Sequence, residues 1–563
     1  MSSDKSPLGE RIVFEPPTEF AEQTNVRQFM REYGIDSYED LLDRTCSTRP
    51  NDPNAGIEWF WDKLVTYLDI EFYTPYETIR DDSQGPQFSK WYDGGELNIA
   101  HNAVDRHAQV DSERRNKAAL IWEGEPGDVR RYTYHDLHCE SNQVANALTD
   151  AGISAGDTVG IFMPMLPETA SALYGCLKTG AIAVPIFSGF GIDAAATRIA
   201  DADCDLVICA DGFYRRGSVI SLLENANKAF EKAGCVDQAF ILNRINSDQS
   251  ITSTQSRSWD DAVANQSRKF ESAVLDSDHP AMLLYSSGTT GKPKGIVHTH
   301  AGLQMQPTKE VYFGFDHKDP DRFFWVTDLG WLMGPWTLIG NHSLGGTVFL
   351  YEGAPDHPNP DRYWDMIERH SLTTFGISPT AIRTLQKHGD EWVDSHDLSS
   401  LRLLGSTGGP WDTDSWSWYF EKVGGGSTPI INISGGTEIG GCFLMPMPDQ
   451  PLKPCSLGGP SLGMNVDIVD DEGSSIADTT EQGYLVARDS CPGFTNGLWS
   501  GDERYISEYW STWDDLWDHG DWAQRDEDGF WYILGRADDA LNVAGRKVGP
   551  AEIENVLIKH DSV

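Results

Sequence analysis

Positive charge is scarce in this 563-residue chain: 44 Lys and Arg stand against 86 Asp and Glu, a net charge of −42. Such a surface repels nucleic-acid phosphates and anionic membranes, so neither is expected as a partner. The acidic residues are scattered and apolar residues make up 39% of the chain. The charge therefore reads as the solvated face of a folded protein and not as disorder. No run approaches the ~20 apolar residues that span a bilayer. The nine cysteines occur singly, without a CxxC pair or metal-ligand spacing, and the chain opens Met-Ser-Ser-Asp with no apolar signal segment. Reduced thiols in a cytoplasmic protein are the expectation. There is no internal repeat and no signal for oligomeric state.

What is present is a chain longer than the ~250–300 residues over which one core grows, so several subdomains are expected. Short Val/Ile/Leu-rich runs alternate with longer mixed segments: 158–163, 182–187, 206–210, 239–242, 281–285, 323–327, 347–351 and 401–405. Segments 140–151 and 167–180 have helical spacing between such runs. This rhythm predicts an α/β fold of two doubly wound parallel sheets. After Pro451 the texture changes to alternating pieces with glycine turns, which predicts a small β-barrel-like subdomain. The predicted organisation is an N-terminal irregular arm or cap (1–90), paired α/β subdomains (91–445), a β-rich subdomain (446–537) and a final stretch (538–563).

Tyr285 to Gly295, Tyr-Ser-Ser-Gly-Thr-Thr-Gly-Lys-Pro-Lys-Gly, follows one of the predicted strands. Glycine backbone N–H groups can converge on an anion there. Ser286, Ser287, Thr289 and Thr290 add hydroxyls, Gly288 and Gly291 add freedom, and Lys292 and Lys294 add charge. The spacing is not that of a Walker A loop, because only two residues separate Gly288 from Gly291 and Pro293 follows the lysine. The plainer reading of such a string is a flexible surface turn.

Three further strings accompany it: Asn432-Ile-Ser-Gly-Gly-Thr-Glu438, His519-Gly-Asp-Trp522, and Gly535-Arg-Ala-Asp-Asp-Ala-Leu-Asn-Val-Ala-Gly-Arg-Lys547. In order and spacing they resemble the AMP-forming acyl-CoA synthetases of the adenylate-forming superfamily. Trp91-Tyr-Asp-Gly-Gly-Glu-Leu-Asn98, Asn102 and Asp105-Arg-His107 are similar to its acetyl- and propionyl-CoA synthetase branch. The resemblance implies a large N-terminal domain followed by a small rotating C-terminal domain. The implied reaction has two steps: a carboxylate attacks Mg-ATP to give acyl-AMP and pyrophosphate, then CoA displaces AMP. ATP, Mg²⁺ and coenzyme A, the last as a substrate, are the implied partners.

By the same resemblance Thr289, Lys294, Thr437 and Glu438 carry the catalysis, and Glu438 helps hold Mg²⁺. The loop Ser286 to Lys292, with Gly408, Gly409, Pro410, Asn432, Ile433, Ser434, Gly435, Gly436 and Thr437, lines ATP and AMP. Asp521 matches the ribose-binding aspartate, and Arg536 and Lys547 join the nucleotide site. Arg215, Arg216, Gly217 and Ala544 match the segments that contact CoA, and Asp538 the hinge. Ile558, His560 and Val563 match a cation site. Taken alone, Asp521 reads as a turn residue, Glu438 as a solvated carboxylate, and Arg215, Arg216 and Arg536 as surface ion pairs.

Trp331, Leu332, Met333, Thr407 and Gly435 correspond to the acyl pocket. Acetate enzymes carry a tryptophan where Gly435 stands, so its absence favours propionate or a longer acid, up to medium chain, over acetate. Residues 552–559 begin an amphipathic helix and the chain stops at Val563, which predicts a small domain cut short. A rival reading is an impaired or non-catalytic adenylate-binding protein.

The charge also predicts a halophile's protein. Screening length falls from ~10 Å at 0.1 M salt to ~3 Å at 1 M, and self-repulsion falls with it. The midpoint of thermal unfolding should drop when salt is lowered from molar to tenth-molar. An unchanged midpoint would remove the salt adaptation.

Overall fold

The computed structural model describes residues 11–49, 52–286 and 293–537, and the backbone of 541–543 and 546–548. Two seven-stranded sheets carry most of it. In the first, the strands run in the order Gln255–Ser258, Gln238–Leu242, Leu206–Ala210, Thr158–Phe162, Ile182–Pro185, Pro280–Ser286, Lys294–Thr299. All neighbours are parallel except the last pair, an antiparallel hairpin. The second runs Ile430–Asn432, Leu403–Ser406, Thr374–Gly376, Arg322–Trp325, Thr347–Glu352, Ala118–Gly124, Val129–Thr133, again parallel but for its final pair. The eight apolar runs read from the sequence all supply strands of these sheets, as continuous runs buried on both faces should.

The crossover segments are helical because their ends are set locally. Tyr134–Asp150 starts at a capping box, with the Thr133 side chain accepting from the Asp136 amide and Asp136 accepting from the Thr133 amide. Pro167–Thr179 starts with proline at its first position and ends at Gly180, where φ is +77°.

The C-terminal part of the described chain differs from expectation. Val466–Val469, Gln482–Ala487, Trp517–Arg525 and Trp531–Arg536 form an open antiparallel sheet in sequential order, not a barrel. A helix, Asp502–Tyr509, interrupts it.

The N-terminal arm is also more regular than the sequence indicates. Thr18–Gln23, Asn25–Glu32, Tyr38–Cys46 and Ile57–Tyr67 are helices. Thr24 and Ser37 cap two of them by accepting from Arg27 and Asp40 amides at 3.4 and 3.1 Å. Each is three turns or fewer, too short for its periodicity to stand out. Their aromatic residues pack inward, Phe29 lying 5.4 Å and Phe60 6.3 Å from the Phe313 ring.

Lys178 has no exposed surface and donates to Asp105 and, at 2.6 Å, to Asn142 Oδ1. Asp105 also bonds His138 at 2.7 Å and accepts from Ser272 at 2.6 Å, so the node joins the 101–105 segment to both crossover helices. Burial pushes the Asp105 carboxyl up, but Lys178 and His138 outweigh it and hold it well below the usual carboxylate range. The folded value is the lower one, so this stabilisation is complete above the unfolded pKa of ~3.9 and is lost as pH falls through the folded value. Asp105→Asn strands a buried ammonium and should destabilise by ~3–5 kcal/mol, with Asp105→Leu/Lys178→Met recovering much of the loss. Thermal melts of the single and double variants check this.

Candidate active site

Glu438 lies at the centre of the site. It sits in a single 3₁₀ turn, Thr437–Ile439, between Gly436 and Gly440, whose φ of +58° a glycine adopts without strain. The Thr495 amide donates to its carbonyl at 2.8 Å. Ser286, the last residue of its strand, donates to Glu438 Oε1 at 3.2 Å, and Tyr509 donates to the same oxygen at 2.8 Å. Lys294 faces Ser286 across the hairpin and lies 2.6 Å from the Tyr509 hydroxyl, 2.7 Å from Glu508 and 3.8 Å from Glu438. The first sheet, the 437–439 turn and the helix Asp502–Tyr509 thus meet on one carboxylate.

Burial pushes the Glu438 carboxyl up, but His519, Lys294 and the hydrogen bonds outweigh it, so the net direction is down and the group is an anion at neutral pH. Burial raises the Tyr509 hydroxyl, and Glu438 adds to the shift, so Tyr509 remains a donor. His298, buried beside Glu438, is lowered to about 4 by burial and is neutral; its Nε2 has no partner among the described residues. No cluster of three or more His, Cys, Asp or Glu forms a metal site among the described residues. A Mg²⁺ ion here would therefore rest on one hard carboxylate, Glu438, together with phosphate and water oxygens, a donor set that suits it.

Of the residues expected to line the nucleotide, Asp521, Arg536 and Asn432 lie on strands. Asp521 and Arg536 are cross-strand partners, and Arg536 donates to Asp521 at 3.2 Å and to the His519 carbonyl at 2.9 Å. The His519 ring lies 3.5 Å from Asp521 and packs edge-on against Phe443 at 4.6 Å. Asn432 spends its amide on the carbonyls of Cys455 and Ser456, both at 3.3 Å. Thr407 donates to the Ile433 carbonyl at 2.8 Å, which fixes the strand end preceding Ser434. Gly408 and Gly409 have open space where a Cβ would stand, and Pro410 accepts from Arg383 at 2.7 Å.

Arg215 to Gly217 form the turn of a hairpin, Gly212–Arg215 with Ser218–Ser221. Glu125 holds it by accepting from the amides of Arg216 and Gly217 at 2.9 and 2.8 Å. Arg215 reaches the Gly353 carbonyl at 3.3 Å, and Arg216 pairs with Asp356 at 3.2 Å while its side chain stays 65% exposed. The ion-pair reading of Arg216 is therefore met, and the guanidinium remains open to solvent.

Asp328 builds the turn ahead of Trp331, Leu332 and Met333, the residues expected at the acyl pocket. It accepts from the Gly330 amide at 2.9 Å and from Ser188 at 2.7 Å, and burial pushes its carboxyl up to about 6. Trp331 projects from this turn, half exposed against Phe187 at 5.3 Å. Leu332 and Met333 pack into different hydrophobic clusters. Gly435 corrects the sequence reading. A Cβ there would overlap the Gly441 carbonyl oxygen and lie 2.7 Å from Cys442 Cα. The first atom of a side chain at 435 therefore meets the backbone of the chain's own hairpin, Ser434–Gly436 with Gly441–Leu444.

Ser287, Gly288, Thr289, Thr290, Gly291, Lys292, Asp538, Ala544, Ile558, His560 and Val563 lie outside the described residues, as does the side chain of Lys547 and the helix expected at 552–559. Sequence reasoning assigned no role to Tyr509, Glu508, His519 or Asp328. His519 stood within a quoted string and was within reach. Tyr509 and Glu508 sit in an eight-residue helix with no motif around it.

The chain belongs to the AMP-binding enzyme family, whose model matches residues 106–499. A second model, acetyl-coenzyme A synthetase N-terminus, matches residues 52–103, the segment containing the longest of the N-terminal helices. The chain is similar to acetyl-coenzyme A synthetase of Chlorobaculum tepidum, 39% identical over 100% of this chain and 82% of that protein. The enzyme of the same name from Methanothrix soehngenii is 38% identical over 98% and 82%. Among solved structures, acetoacetyl-CoA synthetase from Streptomyces lividans superposes with a TM-score of 0.87 at 26% identity, covering 96% of this chain and 82% of that one.

Gly435→Ala should lower the thermal midpoint measurably, since backbone must move to admit the methyl group, at the ~1–3 kcal/mol typical of overpacking. Gly409→Ala, with open space at its Cβ, is the control and should melt with the parent. Equal midpoints for the parent and both variants would show that the 435 hairpin yields.

Proposed function

We propose that this protein is an AMP-forming short-chain acyl-CoA synthetase: it joins a carboxylic acid to ATP as acyl-AMP, releasing pyrophosphate, and then transfers the acyl group to CoA, releasing AMP. The observation that carries the reading is the Glu438–Tyr509–Lys294 node at the two ends of the glycine-rich loop, in a chain of this family. Both steps develop negative charge at a phosphoryl or acyl centre, so oriented donors and cations do more than acid–base groups. Lys294, anchored by Glu508 and Tyr509, is pre-placed to meet phosphate oxygens without reorganising. Mg²⁺ bound at Glu438 would supply further charge neutralisation. Asp521 offers two acceptor oxygens, which suits the ribose hydroxyls. Arg215 and Arg216 are exposed, and their planar guanidinium groups suit the CoA phosphates.

Chain length follows from the pocket. The glycine at 435 taken alone favours propionate or longer, but the Gly441 and Cys442 backbone stands at its Cβ position, and the similar proteins carry the name acetyl-coenzyme A synthetase. The reading is a short-chain range with acetate included. The assembled node supports this over a non-catalytic adenylate-binding protein.

A panel of C2 to C6 acids, scored for pyrophosphate and AMP, tests the reading. Glu438→Gln should lower adenylation by ~10²-fold or more. Arg215→Glu/Arg216→Glu should raise KM for CoA about tenfold, the scale of one charge-assisted contact, and leave acyl-AMP formation intact. Orthophosphate in place of pyrophosphate, or equal loss of both steps in the arginine variant, would sink the respective assignment.

A further inference from the structure

Glu310 is a fully buried carboxylate on the helix His300–Phe313, and no step above uses it. Its Oε1 accepts from the Cys442 amide at 2.8 Å and from Gln306 at 2.7 Å. Its Oε2 accepts from the Trp336 indole at 2.7 Å and from the Cys442 thiol at 3.2 Å. Lys309 lies 3.5 Å away but directs its bonds to Ser461 and Leu462. Every donor around the carboxylate is thus accounted for, as a buried charge requires.

The partners matter more than the number of bonds. Cys442 is the cross-strand neighbour of Gly435, and its Cα lies 2.7 Å from where a Cβ at 435 would stand. Trp336 follows Leu332 and Met333 by one helical turn, its amide bonded to the Leu332 carbonyl at 3.0 Å. It is packed among Phe315, Trp325 and Phe323 at 5.6, 5.6 and 6.0 Å. One carboxylate therefore ties together two elements about a hundred residues apart, both bearing acyl-pocket residues. The same helix begins at Thr299, the end of the strand that carries Lys294.

We propose that Glu310 is a positioning residue that sets the depth of the acid pocket relative to the phosphate site, by clamping the Trp336 helix and the Gly435–Cys442 hairpin to the helix that follows Lys294. The substrate selected is a short linear carboxylic acid, and Trp336, fully buried among aromatic rings, transmits the clamp to the helix that bears Met333. A buried carboxylate is a costly way to fill a core where an apolar residue of like volume would do. What it provides here is one rigid reference for two walls. Glutamine keeps the shape but turns an N–H toward a donor, so one of the two walls loses its anchor.

The inference rests on the synthetase reading, so its test has a readout that needs no turnover. The intact chain, Glu310→Gln and Trp336→Phe are compared by thermal stabilisation with AMP and with its ethyl, propyl and butyl esters. Steady-state constants for C2 to C5 acids, ATP and CoA are measured alongside. In both variants the preferred ester should lengthen by a carbon or more, or the ranking flatten, with stabilisation by AMP itself unchanged. KM for the short acids should rise about tenfold, the scale of one charge-assisted hydrogen bond, with KM for ATP and CoA within about twofold. An unchanged ester ranking in the folded variants overturns the proposal, and so does an equal rise of all three KM values, which a merely structural role would produce. A parent that turns over no acid but ranks the esters, with the ranking shifted in the variants, removes the synthetase reading and keeps the pocket assignment. A parent stabilised by none of the esters removes both.

Discussion

The constraint on which the site depends is that Glu438 is buried and charged. A carboxylate removed from water is tolerable only if its surroundings replace the lost hydration, and three separate parts of the chain do so: the hairpin bearing Ser286 and Lys294, the turn around Glu438 itself, and the helix ending at Tyr509. The folding requirement and the chemical requirement coincide here. Groups that must converge to satisfy Glu438 are those that would meet a triphosphate and its metal, so they are in place before substrate arrives. Lys294 is held by Glu508, itself paired with Arg504 at 2.7 Å, so the lysine cannot relax toward solvent.

Around that node the strongly acidic surface imposes a second condition. Two polyanionic substrates must approach a chain of net charge −42, and long-range attraction cannot deliver them. Local geometry must do so. The hairpin of Arg215 to Gly217 is clamped through its backbone by Glu125, which leaves the guanidinium groups free of the task of holding the turn. Arg216 still pairs with Asp356, but a pair this exposed contributes little to stability.

Where the sequence was legible, the reason is physical. Strands covered on both faces must be continuously apolar, so the eight runs could be read directly. Ser286 and Lys294 drew notice because no core needs so many small, hydroxylated and charged residues in one string. The short N-terminal helices were not, since each is defined by a cap and a few aromatic contacts to Phe313 and not by a long periodic face. Tyr509 was illegible for a related reason: its role exists only because a helix with no motif folds back onto a turn 71 residues earlier.

Gly435 shows the limit most clearly. A glycine where an indole is expected reads as added volume only if the backbone around it stays put. Here the Gly441 carbonyl oxygen and Cys442 of the opposite strand stand at the Cβ position, so a missing side chain does not translate directly into added volume. Pocket depth then ceases to be a property of residue 435. It becomes a property of whatever fixes the opposite strand, and that strand is fixed by a carboxylate on another helix, which also holds an indole from a third element. Close packing makes this general: a void large enough to matter is paid for at ~24 cal/mol per Å³ unless something moves into it, so the residue that sets specificity is often the one holding the filler in place.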